Sequence, residues 1–348
     1  MTKARTPVFD SIRGMLLILM TLDHLGGPIA GVLYGRLGFF SAAEGFFFLS
    51  GFIATRVALN KPDPARWFRA RAFTIWSWHI LSVLAVSFLV LVFHAQGFAP
   101  MPGLERLSEQ PLPILAGAVA MIHLPDYLDV LPLYVLLMFF GNLVLLACLK
   151  LHASKARWLI LGGSIALWGL GTAGLWSHVR STLPSWMHPG TFDPLCWQLV
   201  FTAGALLASF LHDKHQQGEA SPSISRRTFL LATVASLVFL AWKNSWLPLP
   251  IFGDDGLLAS RSHLGILRII SFSAIAVVAT YLLTHHPAWL TFRFSTLLGR
   301  HSLQVFTWHI PLVYLWLSRP WHGPTFLVIA VPLAIVASLS IPALIREH

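Results

Sequence analysis

The stretch Asp10-Ser-Ile-Arg13-Gly-Met-Leu-Leu-Ile-Leu-Met-Thr-Leu-Asp23-His24 sets an arginine and an Asp-His pair into an otherwise apolar run that reads as one helix. Eleven positions separate Arg13 from His24. At about 100° per residue the two share a face to within roughly 20°, about 16 Å apart along the axis. Such a helix holds the cation near one membrane surface and the imidazole near the middle. Ionisable groups in an apolar span are costly, so they usually face a protein interior or a watery cavity and mark a functional path. The plainer reading has Arg13 snorkelling to the interface while Asp23 and His24 satisfy a neighbouring helix.

Outward from this stretch, the 348-residue chain is 56% hydrophobic and only 11% charged, where a soluble domain carries about 25%. It reads as an integral membrane protein. Its apolar runs lack the alternation of barrel strands, so the spans are helices. The net charge of +10 is dispersed among short loops, which excludes a basic nucleic-acid-binding domain and fits positive loops on the cytoplasmic side. Cys148 and Cys196 fall inside apolar runs without metal-ligand spacing, so neither a disulfide nor a metal is expected. Lys3 and Arg5 before an apolar core imitate a signal peptide. The core runs into Asp23-His24 with no small-residue cleavage pattern and is taken as a retained first span.

The expected architecture is an all-α polytopic membrane protein, a single domain over 1–348. It has about ten transmembrane helices, near 8–33, 40–58, 72–95, 130–149, 157–177, 192–211, 228–246, 264–284, 301–318 and 324–345. A shorter apolar piece, Leu112 to Leu124, is too brief to cross and reads as re-entrant or interfacial. With the N-terminus inside, 17 Lys and Arg fall in inner segments and 6 in outer loops (Arg36, Arg106, Arg180, Lys243, Arg261 and Arg319), leaving Arg268 within a span. That asymmetry puts both termini in the cytoplasm. Residues 213–225 read as an inner linker, and 96–111 and 243–262 as outer loops.

Several residues could carry chemistry. Glu44, alone among aromatics in Phe39-Phe-Ser-Ala-Ala-Glu44-Gly-Phe-Phe-Phe-Leu-Ser50-Gly51-Phe52, must be protonated or paired, and Ser50-Gly51 permits close approach of a backbone or ligand. Arg66-Trp-Phe-Arg69-Ala-Arg71 could clamp phosphates at the cytoplasmic mouth of the third span, or be simply the positive-inside signal. Asp126 and Asp129, among aromatics at the outer mouth of the fourth span, suit sugar hydroxyls or helix caps. Trp197 and Gln198 offer a stacking surface and an amide. His309 is mid-span, where a single buried histidine is more often structural. No Gly-x-Ser-x-Gly elbow, Gly-rich phosphate loop or His-Glu-x-x-His pair occurs, so hydroxyl activation would need a histidine or carboxylate base within the spans.

Together these residues resemble the membrane acyltransferase-3 superfamily and, more narrowly, the OpgC family, which succinylates osmoregulated periplasmic glucans. The resemblance rests on Arg13-Gly14 with Asp23-His24, Phe39 to Phe52, Asp129-Val-Leu-Pro-Leu-Tyr134, Phe192-Asp-Pro-Leu-Cys-Trp197-Gln198 and Gly299-Arg-His-Ser-Leu-Gln-Val-Phe-Thr-Trp-His309. It implies ten spans in a bacterial inner membrane and a cytoplasmic acyl-CoA, with succinyl-CoA expected. Arg13, with Arg69 and Arg71, would hold this co-substrate, and no permanently bound cofactor is implied. It further implies His24 as base, with Asp23 and Glu44 at the catalytic centre. The acceptor is a glucan or related glycan approaching from the periplasm, where Asp126, Asp129, Trp197, Gln198 and His309 are assigned to substrate. The expected partners are lipid, acyl-CoA and glycan, not nucleic acid, and a homodimer is compatible. The rival class is a transporter or flippase of a glycan or small anion, which would be expected to carry broken-helix pairs.

Overall fold

The computed structural model describes residues 7–26, 36–94, 104, 107, 109–150, 153–184, 186–220, 222–250, 256–318 and 325–347. The expected continuation of the first span to residue 33, most of the outer loop at 96–111, and Lys3, Arg5, Arg106 and Arg319 lie outside these described residues. Among the described residues, fourteen α-helices follow in order, and the expected spans 157–177 and 324–345 are each divided between two of them. They are α1 (Pro7–Leu25), α2 (Ala42–Ala58), α3 (Pro64–His94), α4 (Pro111–Val119), α5 (Val130–Lys150), α6 (Ala153–Thr172) and α7 (Leu175–Thr182). The chain continues through α8 (Pro194–Gln216), α9 (Arg226–Lys243), α10 (Ile266–His285), a 3₁₀ turn at Pro287–Leu290, α11 (Arg293–Arg300), α12 (Ser302–Leu317), α13 (Thr325–Ser338) and α14 (Ser340–Glu347).

Among the described residues, four helical stretches rather than the expected ten are long and apolar enough by themselves to cross a bilayer: Pro64–Phe93, Pro194–Gln216, Ile266–His285 and Leu327–Glu347. Lys155–Thr172 and Leu175–Thr182 meet the same test only as a pair, bent by 55°. That broken element was not expected from the sequence. α9 has no buried residue, and on α10 only Arg268 and Ser271 are buried. Such apolar but outward-facing helices suit a hydrocarbon surround, with Arg268 turned inward. The nine-residue α4 is too short to span a bilayer core by itself. Its last turn is held against α3, where Trp76 Nε1 donates to the Val119 carbonyl at 3.0 Å and His79 Nε2 to that of Ala118 at 2.9 Å.

Small residues let two helix pairs touch backbone to backbone. A Cβ at Gly51 would sit 2.0 Å from the Phe201 carbonyl oxygen, and one at Gly204 would sit 2.1 Å from that of Phe48, so α2 and α8 meet through reciprocal glycines. On α1 and α11 the same device uses Gly14 against Ser295 and Gly299 against Asp10. A 2.7 Å contact between the Ser11 and Ser295 hydroxyls lies in the same crossing. These crossings fix α1, which carries the histidine, and α2, which lines its cavity.

Candidate active site

α1 delivers Arg13 and His24 to two adjoining cavities. Arg13 donates to the Ser302 hydroxyl at the start of α12 and lines a cavity of about 320 Å³ together with Arg71, Trp67, Ser50 and Tyr134. His24, in the last turn of α1, lines a second cavity of about 50 Å³ with Asp23, Arg261, Met20 and Phe40. Phe46, Tyr134 and Phe306 line both. The arginine chamber and the histidine cavity therefore share an aromatic partition.

The histidine is held by a second imidazole. His24 Nδ1 lies 3.2 Å from His309 Nε2, and His309 Nδ1 lies 2.6 Å from the Phe306 carbonyl oxygen. A carbonyl only accepts, so His309 keeps its proton on Nδ1, and in the neutral ring its Nε2 is an acceptor. His24 Nδ1–H then donates to it, which leaves the lone pair of His24 on Nε2. Tyr127 also packs against the ring, tilted at 55° and centroid to centroid 4.6 Å, from a left-handed backbone at φ +66°. A non-glycine residue in that conformation is strained and persists only where its surroundings hold it.

Asp23 pairs elsewhere: its Oδ2 lies 3.3 Å from the Arg261 guanidinium. Arg261 arrives on the loop before α10, and that loop is fastened to the start of α8. Trp197 Nε1 donates to the carbonyls of Arg261 and Ser262 at 3.1 and 3.0 Å, and Asp193 N–H donates to that of Ser262 at 3.0 Å. Trp168 Nε1 donates to the Leu264 carbonyl at 3.0 Å, and His263 Nδ1 meets Asp193 Oδ2 at 3.1 Å. Leu264 itself is fully buried at φ +47°. The donor atoms of Asp193, Cys196 and His263 lie within 4.8 Å of one another, a grouping that could hold a metal ion and that the cysteine spacing did not suggest.

The remaining residues singled out in the sequence divide clearly. Arg71 lines the larger cavity, whereas Arg69 is exposed and outside its lining. Glu44 is fully buried but lines neither cavity. Arg268 Nε donates to its Oε1 at 2.7 Å, and the N–H and hydroxyl of Ser41 reach its Oε2 at 3.0 and 2.6 Å. The carboxylate expected at the catalytic centre is thus engaged by α10 and by the start of its own helix. Trp197 is fully buried with Phe47 and Phe192 against it, so its rings are packed into the core and line neither cavity. Gln198 bonds to the Ser164 hydroxyl and to the carbonyls of Ser164 and Leu195, also away from both cavities. Asp126 lends its carbonyl to the Tyr314 hydroxyl at 2.5 Å. Asp129 accepts the Thr191 N–H at 2.8 Å. Burial pushes the Asp129 carboxyl upward from its usual range, against the lowering effect of the Thr191 N–H.

Arg261 and Ser302, which line these cavities, and Tyr127, which packs on His24, were not singled out in the sequence. Arg261 registers only as an outer-loop cation, and Ser302 and Tyr127 carry no local signal. A family model described as OpgC protein matches residues 5–348. No curated protein and no solved structure matches the chain.

Proposed function

The chain belongs to the OpgC protein family, and from that premise we propose that it is a membrane-embedded O-acyltransferase that moves a short acyl group, succinyl in this reading, from cytoplasmic acyl-CoA to a hydroxyl of a periplasmic glucan. The observation that carries the reading is the pair of cavities meeting across Phe46, Tyr134 and Phe306, arginines in one and His24 in the other. Phosphates favour multiple charge-assisted bonds, which Arg13 and Arg71 can supply at one end. The thioester would pass the aromatic partition toward His24. A cavity of about 50 Å³ has room for about four waters, which suits a short acyl chain better than a fatty one.

In the proposed step His24 Nε2 takes the proton of the sugar hydroxyl as its oxygen attacks the thioester carbonyl. Collapse of the tetrahedral intermediate breaks the carbon–sulfur bond and expels the CoA thiolate, which recovers the proton from His24. His309 holds Nδ1 of His24, the part that a carboxylate plays in a Ser-His-Asp triad. In this reading the inner-membrane chain has ten spans and both termini inside, as the 17-to-6 distribution of cations suggests. The broken pair α6–α7 does not favour a transporter, because no residue of either helix lines the two cavities.

The test is release of free CoA from a panel of acyl-CoAs by purified protein, with and without glucan. Glucan-dependent thiol release is expected, and Arg13→Ala should weaken donor binding by roughly 10- to 100-fold, while Arg69→Ala changes it far less. Glucan transport without thiol release would overturn the reading.

A further inference from the structure

Away from both cavities, three side chains of different metal-binding chemistry converge at the start of α8. Asp193 and Cys196 stand three positions apart there, so they share one side of its first turn. His263 reaches them from the loop before α10, 70 positions on from Asp193, with its Nδ1 3.1 Å from Asp193 Oδ2. One donor atom from each of the three lies within 4.8 Å of the others. Asp193 and Cys196 are wholly buried, while a quarter of the His263 side chain is exposed, which gives an ion a way in. On the α6 side the space is kept open by Gly171, where a Cβ would lie 2.4 Å from Cys196 Sγ and 2.9 Å from Asp193 Oδ2. The break between α6 and α7 follows at once. Its 55° bend, with Gly174 at φ +92°, brings Ser177 Oγ to 3.5 Å from His263 Nε2.

We propose that Asp193, Cys196 and His263 bind one divalent ion of the zinc class, a site independent of the acyl-transfer reading. The plainer account is a helix cap with a histidine resting on it. Asp193 Oδ1 does accept the Leu195 N–H at 2.8 Å, and the Cys196 thiol points at the Trp168 carbonyl at 3.7 Å. That account explains the carboxylate, but gives no reason for a thiol and an imidazole beside it under a glycine. Thiolate, imidazole and carboxylate together form a donor set for zinc, whereas Mg²⁺ and Ca²⁺ take oxygen. The thiolate and carboxylate bring two negative charges, so Zn²⁺ makes a neutral centre, which burial favours. Binding through Nδ1 puts the ring proton of His263 on Nε2, where Ser177 Oγ can accept it, and ligating histidines commonly make such a bond. Cys196 loses its proton to solvent. Tetrahedral zinc spaces its ligand atoms by about 3.3–3.8 Å, so no gap has to close by more than about 1.5 Å, and water takes the fourth position. The ion ties the start of α8 to the 260–264 loop, whose carbonyls Trp197 and Trp168 also hold.

The test is a titration of the full-length, chelator-treated protein in detergent with Co²⁺, whose spectrum reports both coordination geometry and thiolate ligation. A single Co²⁺ per chain is expected to bind, with the visible bands of a four-coordinate ion and a thiolate-to-cobalt charge-transfer band in the near ultraviolet. Zn²⁺ should displace it and raise the Tm, and Mg²⁺ in large excess should do neither. Cys196→Ser should abolish the charge-transfer band. Both it and His263→Ala should weaken binding by at least about 10- to 100-fold, since even the loss of a group hydrogen-bonded to a ligand commonly costs that much. Cys148→Ser, at the other cysteine of the chain, should leave the spectrum unchanged. Wild-type protein that binds no Co²⁺, or binds it without the charge-transfer band, overturns the proposal, and this arm needs no folded variant. A band that survives in Cys196→Ser, or vanishes in Cys148→Ser, puts the ion elsewhere and overturns it as well.

Discussion

In the proposed transfer, the role of His24 turns on which ring nitrogen keeps its proton. The Phe306 carbonyl fixes the proton of His309, and the 3.2 Å contact hands the acceptor role to His309 Nε2. General-base catalysis typically contributes about 10²- to 10⁴-fold, so His24→Ala should nearly abolish turnover while CoA affinity largely survives. In the proposed mechanism His309 acts through His24 as a positioning residue, and losing such a partner commonly costs about 10- to 100-fold. His309→Leu is therefore expected to lower kcat by that amount with little change in KM for the donor. His309→Gln should recover part of it, because an amide oxygen can accept the same N–H. Steady-state CoA release reads all three variants. A His309→Leu protein with wild-type kcat would reduce the second imidazole to packing, and a stable His24→Ala protein that still acylates would make His309 the leading base.

Between elements, the ion pair of Glu44 on α2 and Arg268 on α10 carries the greatest stake. Both side chains are almost wholly buried, with 2.6 Å between charged atoms. Removing one member of such a pair strands the other and typically costs about 3–5 kcal/mol, whereas replacing both by apolar residues can be nearly neutral. Glu44→Ala should accordingly lower the thermal stability of detergent-solubilised protein sharply, and the double change Glu44→Met with Arg268→Met should restore much of it. Per folded molecule, turnover of the double variant should stay close to wild type. If instead Glu44→Gln folds normally but loses turnover as His24→Ala does, Glu44 belongs to the chemistry.

For the whole molecule, the cation distribution and helix order make one topological prediction. Reporters fused after Lys61, Lys155 and Gln217 should read cytoplasmic, and those after Arg106, Pro184 and Asp254 periplasmic. The Lys155 fusion is the informative one. A periplasmic signal there would require the 111–124 segment to cross, and a nine-residue α4, about 14 Å long, is too short to span a core of about 30 Å.

The sequence by itself determined the apolar, helical character of the chain and the position of most of its apolar helices, though not the break between α6 and α7, because hydrophobicity and helical periodicity act over a few turns of local chain. It even held the difference between Arg69 and Arg71: two positions apart on a helix, they point to opposite sides, and only Arg71 reaches the cavity. Pairing across helices was decided by tertiary structure alone. Asp23 meets Arg261 across 238 positions, Glu44 meets Arg268 across 224, and His24 meets His309 across 285. Which carboxylate faces the histidine cavity and which is engaged in holding helices together depends on how close two backbones approach, as at Gly51 and Gly204, and on the turn that brings a loop back over the bundle. Trp197 illustrates the limit. Its ring at the start of a helix reads as a stacking surface, but the fold spends its N–H on the carbonyls that hold Arg261 in place.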